Sequence, residues 1–341
     1  MVDCSSRARG PRCGAADVLL TGMIQRALLV GSFLVSSFGA CSSGHSGSTT
    51  PPGNTAPPKA PDYAASVADP LGFLPVDSEI VMGLDVDSVR TSALWPHLSS
   101  RITATAGPQL AMFQQMCGFD PMATVHRIRL GLKNLKAEKP EGVIVITGLD
   151  RPQLMACMAK AGNGAAVIEG DYVTFDAAKT GGTQAAFAFV DASTAVVTLG
   201  ASANKDQLKA VLASGMPLRK SPAFMQLLTQ TDVEASLWGM MNANSSIFDQ
   251  LAAGIGTKPK AMFGSVRLNP GMTINMHVRL DTADAAQKLA TMANNQVGMA
   301  KGFVTKLDIT TEAADVVVAV GMDDQQLNSL IMLVAGQLGS P

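Results

Sequence analysis

Between Leu74 and the C-terminus, short apolar β-prone runs alternate with helical segments, and they do so in the same order twice. Ser78 to Val86 reads as a strand, followed by a helical stretch from Ser88. Pro96 and Gly107-Pro108 are expected to break that stretch into two helices, the second running to about Cys117. Val125 to Lys133 and Glu141 to Leu149 then form a hairpin, and Asp150 caps a helix with Gln153 as its capping-box partner. Tyr172 to Asp176 is a strand. Ala185 to Leu199 is one long strand or a hairpin turning at Asp191-Ala-Ser, and a helix around Leu208, Val211 and Leu212 ends at Gly215. The second round has a strand at Ala235 to Met241, a helix at Ile247 to Ile255, and a hairpin of Ala261 to Leu268 with Met272 to Leu280. A helix capped by Asp281 follows, then a strand pair near 304 to 320 and a last helix opened by Gly321.

Hairpins outnumber crossovers, so the expected class is α+β: two similar domains, each a mainly antiparallel sheet with helices packed on one face. The boundaries are residues 70–215 for the first domain and 216–341 for a linker helix and the second, with the halves joined through Met216 to Thr231. Leu149-Asp150 matches Leu280-Asp281, and Gly200 before Gln207-Leu208 matches Gly321 before Gln326-Leu327.

Composition narrows the function. Hydrophobic residues make up 47% of the chain and charged ones 16%, yet beyond the N-terminus no run of roughly 18 apolar residues suits a membrane-spanning helix. From Ser42 onward 22 basic residues face 25 acidic ones with no basic block, which argues against nucleic-acid binding.

The N-terminal region carries an address. Read from Met23, a short basic segment ends at Arg26 and a twelve-residue apolar run spans Ala27 to Phe38. At 1.5 Å per residue that run is about 18 Å long, the length of a secretory signal rather than a permanent anchor. Gly39 and Ala40 then lead to Cys41. This resembles the lipobox of bacterial lipoproteins, in which a cysteine after two small residues is diacylated, the chain is cut on its N-terminal side, and the new amino group is acylated. Phe38 stands where that motif most often has Leu. The resemblance implies residues 1–22 as an extension ahead of the true start, 23–40 as signal peptide, and Cys41 as the lipid site. A plain cleaved signal with unmodified Cys41, or a stop-transfer anchor, is the alternative. Ser42 and Ser43, rather than Asp, follow the cysteine, which in such lipoproteins favours the outer membrane. Residues 42–69 hold five Pro, three Gly, five Ser and three Thr, the composition of a disordered tether.

Chemistry is sparse. Histidines 45, 97, 126 and 277 fall one per element, with no HExxH helix, CxxC pair, nucleophile elbow or Walker loop, so no metal, cofactor or catalytic residue is assigned. Gly162-Asn-Gly164 and Gly254-Ile-Gly256 follow helices and read as turns. Asp85, Asp87, Asp120, Asp150 and Asp281 sit at strand-to-helix boundaries, where capping accounts for them. Cys117 and Cys157 are a disulfide candidate in an oxidising periplasm; two buried free thiols are the alternative. The nineteen methionines suit core filling or an adaptable binding surface, with Met112, Met116, Met240 and Met241 the positions of interest if exposed.

Leu74-Pro75-Val76-Asp77-Ser78 before the strand ending Leu84-Asp85, and Cys117-Gly-Phe-Asp-Pro121 before the next strand, resemble segments of secreted or lipid-anchored bacterial envelope proteins with repeated α+β domains. That resemblance implies no activity. The expected function is a lipid-anchored, non-catalytic binding or scaffold protein, held to the membrane by Cys41 and facing an envelope protein or a small apolar ligand. The alternative is an envelope enzyme whose site is assembled from loops between the halves. Peptide mapping of the precursor under signal-peptidase blockade is expected to show a start at Met23; any peptide from residues 2–20 overturns that start. Radiolabelled palmitate is expected to enter the parent chain and not the Cys41→Ala variant.

Overall fold

A computed structural model of the chain describes Tyr63, Ser66 and residues 68–338, apart from 138, 162–165, 176–183 and 299. The signal segment, Cys41, most of the tether and the Gly162-Asn-Gly164 turn lie outside the described residues.

Twelve strands are described: β1 (Ile80–Asp85), β2 (Arg127–Lys133), β3 (Glu141–Thr147), β4 (Ala166–Glu169), β5 (Tyr172–Phe175), β6 (Ala185–Phe189), β7 (Thr194–Leu199), β8 (Leu237–Asn242), β9 (Ala261–Arg267), β10 (Met272–Arg279), β11 (Lys306–Glu312) and β12 (Asp315–Met322). The described helices are α1 (Val86–Arg90), α2 (Trp95–Cys117), α3 (Pro121–Thr124), α4 (Arg151–Ala161), α5 (Lys205–Ala213), α6 (Pro222–Leu228), α7 (Ile247–Ile255), α8 (Ala283–Gln296) and α9 (Asp324–Leu338).

The class is α+β with antiparallel pairing, but the strands of both halves lie in one sheet, ordered β11-β12-β10-β9-β8-β1-β2-β3-β7-β6-β5-β4. The halves meet at β1 and β8, where Ile80 stands opposite Met241 and Leu84 opposite Leu237. Outward from that seam one side runs β1, β2, β3, β7, β6 and the other β8, β9, β10, β12, β11; β5 and β4 extend only the first.

Side-chain contacts bind the seam reciprocally. Glu79, at the start of β1, accepts from Leu135 N (3.1 Å) in the β2–β3 loop and from Ser246 N (2.8 Å) at the start of α7 in the other half. Ser236, at the start of β8, accepts from Leu268 N (3.1 Å) at the β9–β10 loop and meets Ser88 Oγ (2.6 Å) of α1 in the opposite half. Each strand start therefore holds its own hairpin and the other half's first helix. Burial works to raise the Glu79 carboxyl pKa, but the N–H groups of Ser246 and Leu135 outweigh it and hold it below the ordinary value.

Helices cover both faces rather than the single face expected. Val143, Val145 and Val196 share a core with Leu208 and Leu212 of α5 and with Phe224 and Leu227 of α6. Ile144, Ile146 and Val197 pack instead with Leu154, Met155 and Met158 of α4. Successive strand residues point to opposite faces, so these cores lie on opposite sides of the sheet. A third core, of Leu280, Ala286, Ala290 and Val316, places α8 on the α4 side. At the centre of the first face the Trp238 indole lies over β1, where a Cβ on Gly83 would come within 2.3 Å of it. Only glycine admits that ring.

Local expectations fared unevenly. α2 runs unbroken through Pro108, with Pro96 in its first turn. Ala104, whose carbonyl loses an N–H partner at Pro108, is exposed, so water can satisfy that oxygen. Asp150 caps α4 through Gln153 N (2.7 Å), but the Gln153 side chain donates to Gly118 O instead of closing the capping box. Thr282 rather than Asp281 caps α8, because its hydroxyl reaches Ala285 N (3.1 Å) while Asp281 pairs with Lys260. Gly321 remains in β12, and α9 opens with a capping box of Asp323 and Gln326. β4 was not expected.

The sulfurs of Cys117, ending α2, and Cys157, on α4, are bonded across a Cα–Cα distance of 4.8 Å, with Phe113, Met116, Phe119 and Leu154 around them. The bridge closes a 40-residue separation, for which the chain-entropy relation gives about 4 kcal/mol. The double variant Cys117→Ser/Cys157→Ser is expected to lose stability on that scale in urea unfolding, and a free thiol in non-reduced peptide maps would contradict the bridge. Glu79→Ala, which leaves two N–H groups without their acceptor, is expected to lose about 1–3 kcal/mol at neutral pH. Because the folded carboxyl is the stronger acid, its contribution is present above the ordinary value of 4.5 and is lost as pH falls through the folded value. Urea midpoints of parent and variant are expected to converge at acid pH.

Candidate functional site

Among the described residues the titratable groups do not converge on a reactive centre. Asp85 caps α1 through Ser88 N (2.8 Å) and Asp120 caps α3 through Met122 N (2.8 Å). Asp87 bonds Arg90 and lies 2.8 Å from His126 Nδ1 on an exposed corner. His97 lies on α2. His277 stacks on Phe263, centroids 4.7 Å apart, beside Asp315; that carboxylate is held by both Nε and Nη2 of Arg279 at 2.7 and 2.8 Å. Arg129 lies over the Trp238 ring at 5.4 Å, and burial, aided by Arg127, pulls its guanidinium below the ordinary arginine value. Among the described residues no group of three or more His, Cys, Asp or Glu is placed to hold a metal ion.

A polar cavity of about 660 Å³ opens where the halves meet, lined by Glu79, Asn134, Lys136, Glu141, Asn244 and Asp249 among others. Its carboxylates are committed. Glu79 makes the seam contacts above, Glu141 lies 3.9 Å from Lys133 Nζ, and Asp249 takes Lys136 at 2.6 Å and Lys258 at 2.7 Å, which hold it well below the usual carboxylate range. Such a cavity can hold a polar group but offers no nucleophile paired with a free base.

The opposite chemistry occupies the α4/α8 face. Across the sheet, Leu130, Met82, Gly239, Gly264, Met276 and Val318 stand in one row. On one side the parallel row is Ile128, Leu84, Leu237, Val266, Ile274 and Val320. On the other it is Leu132, Ile80, Met241, Met262, Val278 and Val316. None of these residues is charged or polar. The α4 core takes Ile128 and Leu130 at one flank, and the α8 core takes Val278, Val316 and Val318 at the other. Between them Met82, Leu84, Leu237, Met241, Met262 and Val266 are half-buried and belong to none of the four core clusters among the described residues, and Met276 is 39% exposed. Together they form a continuous apolar strip in which Met276 is the exposed member.

Of the methionines singled out from sequence, Met241 lies on this face, Met240 is buried in the opposite core, Met116 packs beside the disulfide and Met112 is exposed on α2. Met82, Met262 and Met276 were missed. Their signal was present as period-two alternation, with Met272, Ile274, Met276 and Val278 falling on one side of β10, but alternation does not tell which side a helix covers.

No helix among the described residues is long and apolar enough to cross a membrane. No family model matches the chain, and no curated protein sequence matches it. Among solved structures, crystal form III of TP0453 is similar with a TM-score of 0.52 and 12% sequence identity, over 77% of this chain and 97% of that one. At that identity the likeness is one of fold, a shared arrangement of sheet and helices.

Proposed function

We propose that the chain is a lipid-anchored envelope protein that binds rather than catalyses, presenting the apolar α4/α8 face of its sheet to an envelope protein or a small apolar ligand. The observation that carries this reading is the uncharged, methionine-bearing centre of that face, with Met276 exposed on it. Thioether side chains re-pack around varied shapes at little cost, which suits a surface that takes an apolar partner. The lipobox-like segment ending at Cys41 supplies the anchor, and the residues that follow give the body reach from the membrane; Ser42 and Ser43 favour the outer membrane. Two or three acyl chains make such attachment effectively permanent, since one alone holds only weakly.

The body itself we read as a duplication. The repeated strand order outward from the β1–β8 seam supports it, as do the reciprocal contacts of Glu79 and Ser236, each joining its own hairpin to the other half's first helix. Fusion of two copies through their leading strands gives this pattern directly.

Affinity recovery of the lipidated chain from its native envelope, with mass spectrometry of co-purifying proteins and lipids, tests the reading. Met276→Glu places a charge on the exposed centre of the face while sparing the cores. Specific partners are expected with the parent and to fall at least tenfold with M276E. Equal recovery by both chains would overturn the assignment of the face.

A further inference from the structure

We infer that the sheet continues through β11 into β11 of a second copy of this chain, antiparallel about a two-fold axis at Ile309. β11 is the last strand at its end of the sheet and has seven residues; β4, at the other end, has four. Glu312 stands opposite Asp315 across the two-residue turn Ala313-Ala314, where Ala313 has φ 52°. A turn of that length is closed by a hydrogen-bonded pair, so Lys306, Asp308, Thr310 and Glu312 turn their backbone groups to β12, and Leu307, Ile309 and Thr311 turn theirs outward. Asn294 of α8 donates to Ile309 O at 3.0 Å, in keeping with this phase. That carbonyl keeps a second lone pair, and the outward N–H groups of the three residues meet no acceptor among the described residues. An unpaired edge of this length is a template for another strand.

The residues of the edge select their own copy. Outward-turned residues must stand opposite one another, and the register that overlaps the whole strand places Ile309 against Ile309 and Leu307 against Thr311. It also sets Lys306 against Glu312 and Asp308 against Thr310, both in non-hydrogen-bonded pairs, where side chains approach most closely. The dyad makes the Lys306–Glu312 pair twice. Slipping one strand by two residues either way instead puts Asp308 against Asp308 or against Glu312, and like charges directly opposite are destabilising. Lys306, Asp308 and Glu312 are all exposed; Lys306 meets its own Asp308 at 3.3 Å, and Glu312 has no ion pair among the described residues. Charges of one sign would guard such an edge better, whereas these match their own copy in one register.

The flanking structure fits the same axis. α8 packs on Ile309 of β11 and on Val316 and Val318 of β12, which places it over the space between the two strands. At a strand spacing of about 4.8 Å, two copies of α8 run antiparallel about 10 Å apart, an ordinary helix separation. Gln287, which accepts from Thr311 Oγ1 at 3.2 Å, and Asn294 mark the side of α8 turned to the edge, and neither carries a charge. At the start of β11, Phe303 closes the turn Ala300–Phe303 and is 59% exposed. In the paired register Ala313 of the second copy stands level with Thr305, so its Ala313-Ala314 turn brings small apolar side chains to that corner. The axis is normal to the sheet, and both copies therefore turn their α4/α8 faces to the same side.

The test is sedimentation velocity of the full chain carrying Cys41→Ala over a wide range of concentration. A monomer–dimer equilibrium with nothing larger is expected. Glu312→Lys and Lys306→Glu, both at exposed positions, each turn the two ion pairs into repulsions and are each expected to weaken the dimer about tenfold. An equimolar mixture of the E312K and K306E chains restores opposite charges in both pairs and is expected to associate as the parent does, which a misfolded variant could not. Chains carrying Asp308→Cys and Thr310→Cys, mixed and oxidised, are expected to yield a peptide bridged between 308 of one copy and 310 of the other. A chain that stays monomeric, or one that forms assemblies larger than dimers, overturns the pairing. So does an E312K chain that associates like the parent, a mixture that stays apart, or the absence of the 308–310 bridge.

Discussion

The pairing of β1 with β8 holds the molecule together. These strands are the leading elements of the two halves, and their antiparallel register, Ile80 against Met241 through Leu84 against Leu237, makes one sheet of what would otherwise be two. The hydrogen bonds of Glu79 and Ser236 fix the same junction from its two ends. Val81, Trp238 and Met240 bury their side chains beneath it in the largest core. Everything outward of the seam, hairpins and helices alike, takes its position from this line.

The seam also decides which apolar surface is left over. On the first face the segment joining the halves, with Leu218, Phe224 and Leu227, is laid across the junction and completes the core. On the other face α4 and α8 each follow the third strand of their half, so their cores lie at the two flanks, with the methionine-bearing strip between those cores. The methionine-bearing strip between those two cores follows from two helices set at equal remove from a central axis.

Much of this was legible in the sequence, and what was not had a physical reason. The order of elements follows from local periodicity, and α7 spans the residues Ile247 to Ile255 expected of it. The union of the two sheets depends on a pairing between residues such as Ile80 and Met241, far apart in the chain, and no local pattern reports that. Two-face coverage was equally hidden, because alternation along Val143, Ile144, Val145 and Ile146 shows that a strand has two apolar sides without saying which helix meets each. Pro108 misled because a helix exposed to water can tolerate the lost hydrogen bond.

The continuity of the sheet has a consequence for how such a chain comes into being. The first half has a leading edge that is bare without the second: in the absence of β8, β1 lacks a hydrogen-bonding strand along one whole side. An edge of that kind invites pairing with any extended segment nearby. Closing it requires contacts of long sequence separation, the kind whose loop-closure entropy slows folding. The second half is thus more than an added module: its leading strand is what covers the β1 edge of the first.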